Sequence, residues 1–336
     1  MDEKFDQTFT LTFGDQGENH KGMQKIGKMA ETGFSLADLL VSKRFFEDRG
    51  VKVEIYHLNK LLDDVDDANR PVPKDAYVLV VRSGANALLG CKGKPLGEHY
   101  GNTADDLYEE QNELEKDSKA FMYGRVVDKK ARHNLCFAED SQEPDYENGK
   151  GRIVSYEEVP IMSNLRDNLA GAFPPKKTDG MIVEGNYYYD VAKCYIGFHG
   201  DAERRRVIGV RLGASFKFHY QWFGIPEYDE EATKKAKAKN SKARDRYTKK
   251  MLGPRLEITL DHGDLYIMSE KAVGTDWMSK RDVTLRHAAG DAKCPGLKGI
   301  NKKWVDGECC LMSFPSKRAT VYERDKDGFV VVEFTE

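Results

Sequence analysis

Val207-Ile208-Gly209-Val210-Arg211-Leu212-Gly213-Ala214-Ser215-Phe216-Lys217-Phe218-His219-Tyr220 reads as two short β segments, Val207–Leu212 and Ser215–Tyr220, joined by a turn of small residues. Apolar and aromatic residues recur at every second position, the spacing of a strand rather than a helix. The pattern repeats on both sides. Upstream lie Ile182–Tyr188 and Tyr195–His199; downstream lie Leu256–Leu260, Leu265–Met268, Val283–His287, Cys309–Phe314 and Phe329–Phe334. From about residue 152 the chain is thus mostly short strands with glycine turns and few helical stretches, which predicts an antiparallel sandwich or jelly roll.

The first third has a different texture. Phe9–Phe13 alternates as a strand, and Leu36–Arg49 has helical spacing, with Ser35 as its cap and Gly50 as its stop. Val51–Tyr56 and Tyr77–Val81 read as strands. The segment Phe13-Gly14-Asp15-Gln16-Gly17-Glu18-Asn19-His20 lacks the lysine and hydroxyl residue of a nucleotide-binding loop, so it reads as a turn with polar caps. Residues 103–118 are acidic and helical, and 138–151 are a polar loop. The expected fold class is α+β: an N-terminal α/β region over 1–115, then a double-stranded β-helix (jelly roll) catalytic core over 116–336.

At 336 residues, 40% hydrophobic, the chain can bury one large core or two smaller ones. A formal charge of -3 gives bulk electrostatics no preferred partner. No apolar run is long enough for a membrane span, and the N-terminus has neither the basic start nor the apolar stretch of a secretory signal. An intracellular, cytoplasmic or nuclear, location is expected. Cys91, Cys136, Cys194, Cys294, Cys309 and Cys310 contain no C-x-x-C pair and read as reduced thiols, with Cys309–Cys310 packed in a strand. Charge is concentrated in one place. Thr233–Lys250 holds nine Lys or Arg and one acid, Asp245, as an insertion between two strands. It is either a solvated segment or a contact for nucleic-acid phosphates.

Chemistry is concentrated in Ile196-Gly197-Phe198-His199-Gly200-Asp201-Ala202-Glu203. Residues two apart on a strand share a face, so His199 and Asp201 present a nitrogen and a carboxylate oxygen to one point. Two histidines and one carboxylate on one face, with the other positions open, are the ligand set of non-haem Fe(II) oxygenases.

The surroundings of this pair resemble the AlkB family of nucleic-acid oxygenases. Asn186-Tyr187-Tyr188 stands before His199-x-Asp201, and Glu203 follows. Then come Val207–Phe216, Leu260-Asp261-His262-Gly263-Asp264-Leu265-Tyr266-Ile267-Met268, the Ala272–Trp277 loop and Val283-Thr284-Leu285-Arg286. The resemblance covers about residues 181–290. It implies Fe(II), 2-oxoglutarate and O2 as cofactor and co-substrates, with succinate and carbon dioxide released as a methyl or other C–H group on a nucleic-acid base is oxidised. It also implies that Asn186, Tyr188 and Arg286 contact 2-oxoglutarate and that Glu203 contacts the substrate base. Arg125, Lys129, Lys130 and Arg132 stand where the family has a substrate-covering lid, and Arg125, Lys129 and Arg132 are expected substrate contacts.

The family's second metal histidine is missing near Trp277, and His287 is the nearest candidate for the third ligand. His219 and His262 are alternatives, better suited to core and capping roles. Arg286 and His287 are neighbours on a strand, so they face opposite ways. If His287 binds iron, the cation for the far carboxylate of 2-oxoglutarate must come from elsewhere, with Lys298 and Arg318 as candidates. Two other readings stay open: the same chemistry on a protein side chain or small metabolite, and a non-catalytic jelly-roll binding module.

Overall fold

In the computed structural model, residues 5–65, 72–90, 101–291, 297, 304–312, 320–324 and 330–333 are described. Strands in chain order are β1 (Thr8–Gly14), β2 (Gln16–Glu18), β3 (Lys25–Gly27), β4 (Val53–His57), β5 (Tyr77–Val81), β6 (Lys119–Met122), β7 (Arg125–Asp128), β8 (His133–Ala138), β9 (Ile153–Ser155) and β10 (Ile182–Tyr188). They continue as β11 (Ile196–His199), β12 (Val207–Gly213), β13 (Phe216–Tyr228), β14 (Tyr247–Leu260), β15 (Leu265–Met268), β16 (Thr284–Ala289), β17 (Trp304–Asp306), β18 (Thr320–Arg324) and β19 (Val330–Glu333). The helices are α1 (Leu36–Glu47), α2 (Gly84–Leu89), α3 (Ala104–Glu113), α4 (Pro160–Ala172), α5 (Glu230–Lys239) and α6 (Glu270–Val273).

Local chemistry accounts for several boundaries. Ser35 caps α1 in a reciprocal box with Asp38, and Thr103 caps α3 in the same way with Asp106. Apolar alternation builds two sheets. The larger runs β4-β5-β15-β12-β1-β10-β8-β9, and the smaller runs β11-β16-β13-β14-β17. In β1, Phe9, Leu11 and Phe13 point into a core shared with Leu39 and Phe46 of α1, Leu107 of α3 and Leu165 of α4. The opposite face of the large sheet, through Val78, Val80, Tyr188, Val207 and Met268, packs on Phe218, Trp222, Leu256 and Leu285 of the small sheet. The result is a mixed α+β architecture of three layers, with helices on one face of a large sheet and a small sheet on the other. Trp222 is the largest side chain between the sheets, and its indole nitrogen donates to the Leu58 carbonyl at 2.8 Å.

Strands from both sides of residue 115 share the large sheet. β1 lies at the middle of the large sheet, between β10 and β12, and β4 and β5 extend that sheet from β15. All seven residues of β1 are buried, so this strand is core and not the edge of a separate unit. The expected strand Cys309–Phe314 is also corrected. Gly307–Cys310 is a 3-10 turn, after which Leu311 bridges Tyr56 on β4; Phe314 lies outside the described residues. Cys309 is exposed and Cys310 buried, with sulfurs 3.3 Å apart. No described helix is long and apolar enough to cross a membrane.

Candidate metal centre

His199 ends β11, and strand pairing puts it directly across from His287 on β16. Their rings stand 4.4 Å apart, centroid to centroid. Asp201 follows in the turn. Its Oδ1 is 3.5 Å from His199 Nε2 and 3.6 Å from His287 Nε2. Cis ligands around a divalent ion stand roughly 3 Å apart at ordinary bond lengths, so these atoms need only a small contraction to share one ion. His199 Nδ1 lies 2.8 Å from the Gly197 carbonyl oxygen, a bond that places the proton on Nδ1 and leaves Nε2 as the free ligand atom. Burial and the nearby His199 lower the pKa of His287, against Asp201 and the Ala272 backbone, which favours the neutral, ligating imidazole. These three residues are the one His/Cys/Asp/Glu group with metal-ligand spacing among the described residues. The turn tolerates only glycine between them. A Cβ on Gly200 would sit 2.1 Å from the Gly274 carbonyl oxygen.

Behind the ligands lies a charged cluster. Arg204 is buried against Glu184, reaches Glu203 at 2.9 Å and stands 3.7 Å from Asp201. Burial would raise the Asp201 carboxyl, but Arg204 and the two histidines hold it well below the usual range. Burial raises Glu203, reinforced by Asp201 and Glu184 and opposed by Arg204.

These groups line a cavity of about 500 Å³ between the two sheets. The expected site residues divide around it. Asn186, Tyr188, Glu203 and Arg132 line it along with the three ligands. The Asn186 carboxamide is already engaged: its oxygen accepts from Arg132 Nε at 2.6 Å and Asn134 Nδ2 at 2.7 Å, and its nitrogen donates to Glu184 at 3.1 Å. Lys129 sits behind the wall, donating to Asn19 Oδ1 at 2.9 Å. Arg125 is exposed on the β6–β7 hairpin and does not reach the cavity, because its side chain leaves an edge hairpin with solvent on that face.

Arg286 is a correction. Strand alternation turns it away from the cavity, and its guanidinium packs on the Phe223 ring at 4.1 Å and the Trp277 ring at 5.1 Å. Lys298 and Arg318 lie outside the described residues. His219 is buried, with Nε2 2.9 Å from the Gly290 carbonyl, and His262 Nδ1 accepts from the Gly213 amide at 2.8 Å. Both therefore take the core and capping roles expected of them.

Several cavity residues had no counterpart in the sequence reading. Thr10 and Thr12 line the cavity from the strand read at Phe9–Phe13, and Glu18, Asn19 and His20, followed by Lys21, line it from the segment read as a turn. Arg211 and Tyr266 line it from β12 and β15, and Gly209 is the gap that admits the Tyr266 ring, since a Cβ there would lie 2.0 Å from Tyr266 Cζ. The alternation of Thr8, Thr10 and Thr12 with Phe9, Leu11 and Phe13 was the available signal: a strand with hydroxyls on one face and large apolar groups on the other.

No family model matches the chain. An uncharacterized protein of Acanthamoeba polyphaga mimivirus is 42% identical over 284 residues, a match spanning 84% of this chain and 96% of that protein. The chain belongs to one family with that viral protein.

Proposed function

We propose that the chain is an Fe(II)- and 2-oxoglutarate-dependent oxygenase of the AlkB type that oxidises a C–H group on a nucleic-acid base. The observation that carries this reading is the convergence of His199, Asp201 and His287 on one point at the wall of a cavity. Two imidazoles and a carboxylate on one face suit ferrous iron and leave coordination positions for exogenous ligands. Iron held there would supply oxygen activation coupled to decarboxylation of 2-oxoglutarate.

Strand order supports the same reading. β13 pairs with β14, β12 with β15, β11 with β16 and β10 with β1. Nested pairs around two facing sheets are what a double-stranded β-helix requires, and on this reading β1 takes the place of the last strand. The chain's own side chains do the rest. His199, Asp201 and His287 would hold the metal from one side, Arg204 neutralises the carboxylates around that point, and the apolar inter-sheet core below the cavity excludes water.

The nucleic-acid part of the proposal draws on the arm formed by β13, α5 and β14. Lys234, Lys235, Lys237 and Lys250 are paired with acids. Lys239, Lys242, Arg244 and Arg246 are exposed on the same arm as the exposed rings of Tyr228 and Tyr247, which stand 5.9 Å apart. Cations interleaved with aromatic faces suit a single strand. Lys249 ties the arm to the Thr284 hydroxyl at 3.0 Å and to the Asp282 carbonyl at 3.4 Å.

The test is succinate release from 2-oxoglutarate with a panel of methylated oligonucleotides. Release by the wild type, lost in Asp201→Ala with the circular dichroism spectrum unchanged, is expected; equal turnover by the two removes Asp201 from the centre. Replacing Lys239, Lys242, Arg244 and Arg246 with alanine should flatten the salt dependence of oligonucleotide binding by about 0.7 log units per lost phosphate contact. An unchanged slope assigns the arm to solvent.

A further inference from the structure

Arg211 stands on β12 directly opposite Thr10 on β1, and both side chains line the cavity that holds the three ligands. Arg211 is 1% exposed, yet its Nε and Nη1 have no hydrogen-bond partner, and neither does the Thr10 hydroxyl. No carboxylate among the described residues forms an ion pair with it. Its guanidinium carbon faces the rings of Phe216 at 5.0 Å and Tyr188 at 5.9 Å, and Asp264 acts on it only from beyond ion-pair distance. A buried guanidinium without an anion is among the costliest arrangements in a protein interior, and folds retain one where a ligand completes it.

Lys21 and Lys25 line the cavity as exposed residues, and its two other arginines are committed. Arg204 is saturated by Glu184, Glu203 and Asp201, and Arg132 is held by Asn186. β1, the strand that closes the large sheet, presents only threonines to the cavity. The positive charge has therefore moved one strand over, to β12.

We propose that Arg211, with Thr10 and Tyr188, is the anion subsite of this cavity and receives the distal carboxylate of a 2-oxo dicarboxylic acid whose oxo-acid end reaches the metal ligands. The inference rests on the metal-centre reading above and adds to it the residue that selects the co-substrate. A carboxylate oxygen can accept from the unmatched Nε or Nη1 of Arg211, and the Thr10 hydroxyl adds a further donor.

The experiment uses the full chain with Co(II) as a spectroscopic metal, titrated with 2-oxoglutarate, 2-oxobutyrate (the same oxo acid without the distal carboxylate) and inorganic phosphate. In the wild type, 2-oxoglutarate should perturb the Co(II) spectrum at concentrations about 100-fold lower than 2-oxobutyrate does, the difference expected for a buried charge-assisted pair. Arg211→Met should keep its Co(II) affinity, lose that advantage and bind 2-oxobutyrate as the wild type does, with Arg211→Lys intermediate. Equal 2-oxoglutarate affinity in wild type and Arg211→Met, both holding Co(II), overturns the subsite and leaves the metal centre standing. A wild type that takes up no Co(II) overturns the metal centre itself. Phosphate binding that depends on Arg211, with no response to 2-oxoglutarate, overturns the carboxylate assignment. If Arg211→Met does not fold, the wild-type comparison decides alone: equal affinities for the two oxo acids contradict the proposal.

Discussion

Arg204 and Arg211 both lie buried against the same cavity, and their surroundings are opposite. Arg204 holds three carboxylates, Glu184, Glu203 and Asp201. Arg211 holds none among the described residues, and two of its donor nitrogens are unmatched. Burial works against both cations. Three carboxylates raise the pKa of Arg204 well above that of a free arginine, whereas burial lowers the pKa of Arg211 against Tyr266, Tyr188 and the more distant Asp264. The difference separates two uses of a buried arginine. One is completed by the chain and belongs to the folded state; the other awaits an anion from outside.

Substitutions sharpen that contrast. Arg204→Ala leaves the buried Glu184 and the half-buried Asp201 and Glu203 without their counterion and should cost about 3–5 kcal/mol in chemical denaturation. A loss below about 1 kcal/mol would mean that the cluster is solvated and the contrast is false. Arg211→Met removes an uncompensated charge and keeps most of the volume. Its stability in the absence of ligand should stay within about 1 kcal/mol of the wild type or exceed it. With metal already bound to both proteins, adding 2-oxoglutarate should raise the melting temperature of the wild type and barely move that of Arg211→Met, by mass action on the folded state. A strongly destabilised Arg211→Met would make this arginine structural, like Arg204. Arg286 is the control. It packs half-buried on Phe223 and Trp277, so Arg286→Ala should cost about 1 kcal/mol and leave 2-oxoglutarate affinity unchanged. A large loss of affinity would return the co-substrate to the face of β16 that carries Arg286.

The sequence made part of this legible for physical reasons. His199 and Asp201 lie two apart at the end of a strand, a spacing that fixes a shared face, and the neighbour rule on β16 turned Arg286 away once His287 was taken as a ligand. Strands β10, β12, β15 and β16 fell close to their expected places because period-two alternation is a local property. The position of β1 was not legible. Its partners, Asn186 and Arg211, lie at long range in sequence, and no local pattern encodes which strands become neighbours. That gap hid the anion subsite as well. In Val207-Ile208-Gly209-Val210-Arg211-Leu212 the arginine reads as the solvent face of a strand, and the threonines of β1 read the same way. Both faces become interior only when β1 enters the middle of the sheet. The Gly14–His20 segment was read as a turn, which left open its place on the cavity wall through Glu18, Asn19 and His20.

The metal centre itself is tested most directly by iron content. The chain is reconstituted with Fe(II) without oxygen and desalted, as wild type and as His287→Ala with an unchanged circular dichroism spectrum. One iron per wild-type chain, with the variant retaining about a tenth of that or less, is the expected result. Equal iron in both proteins, or none in the wild type, would contradict a centre built from His199, Asp201 and His287.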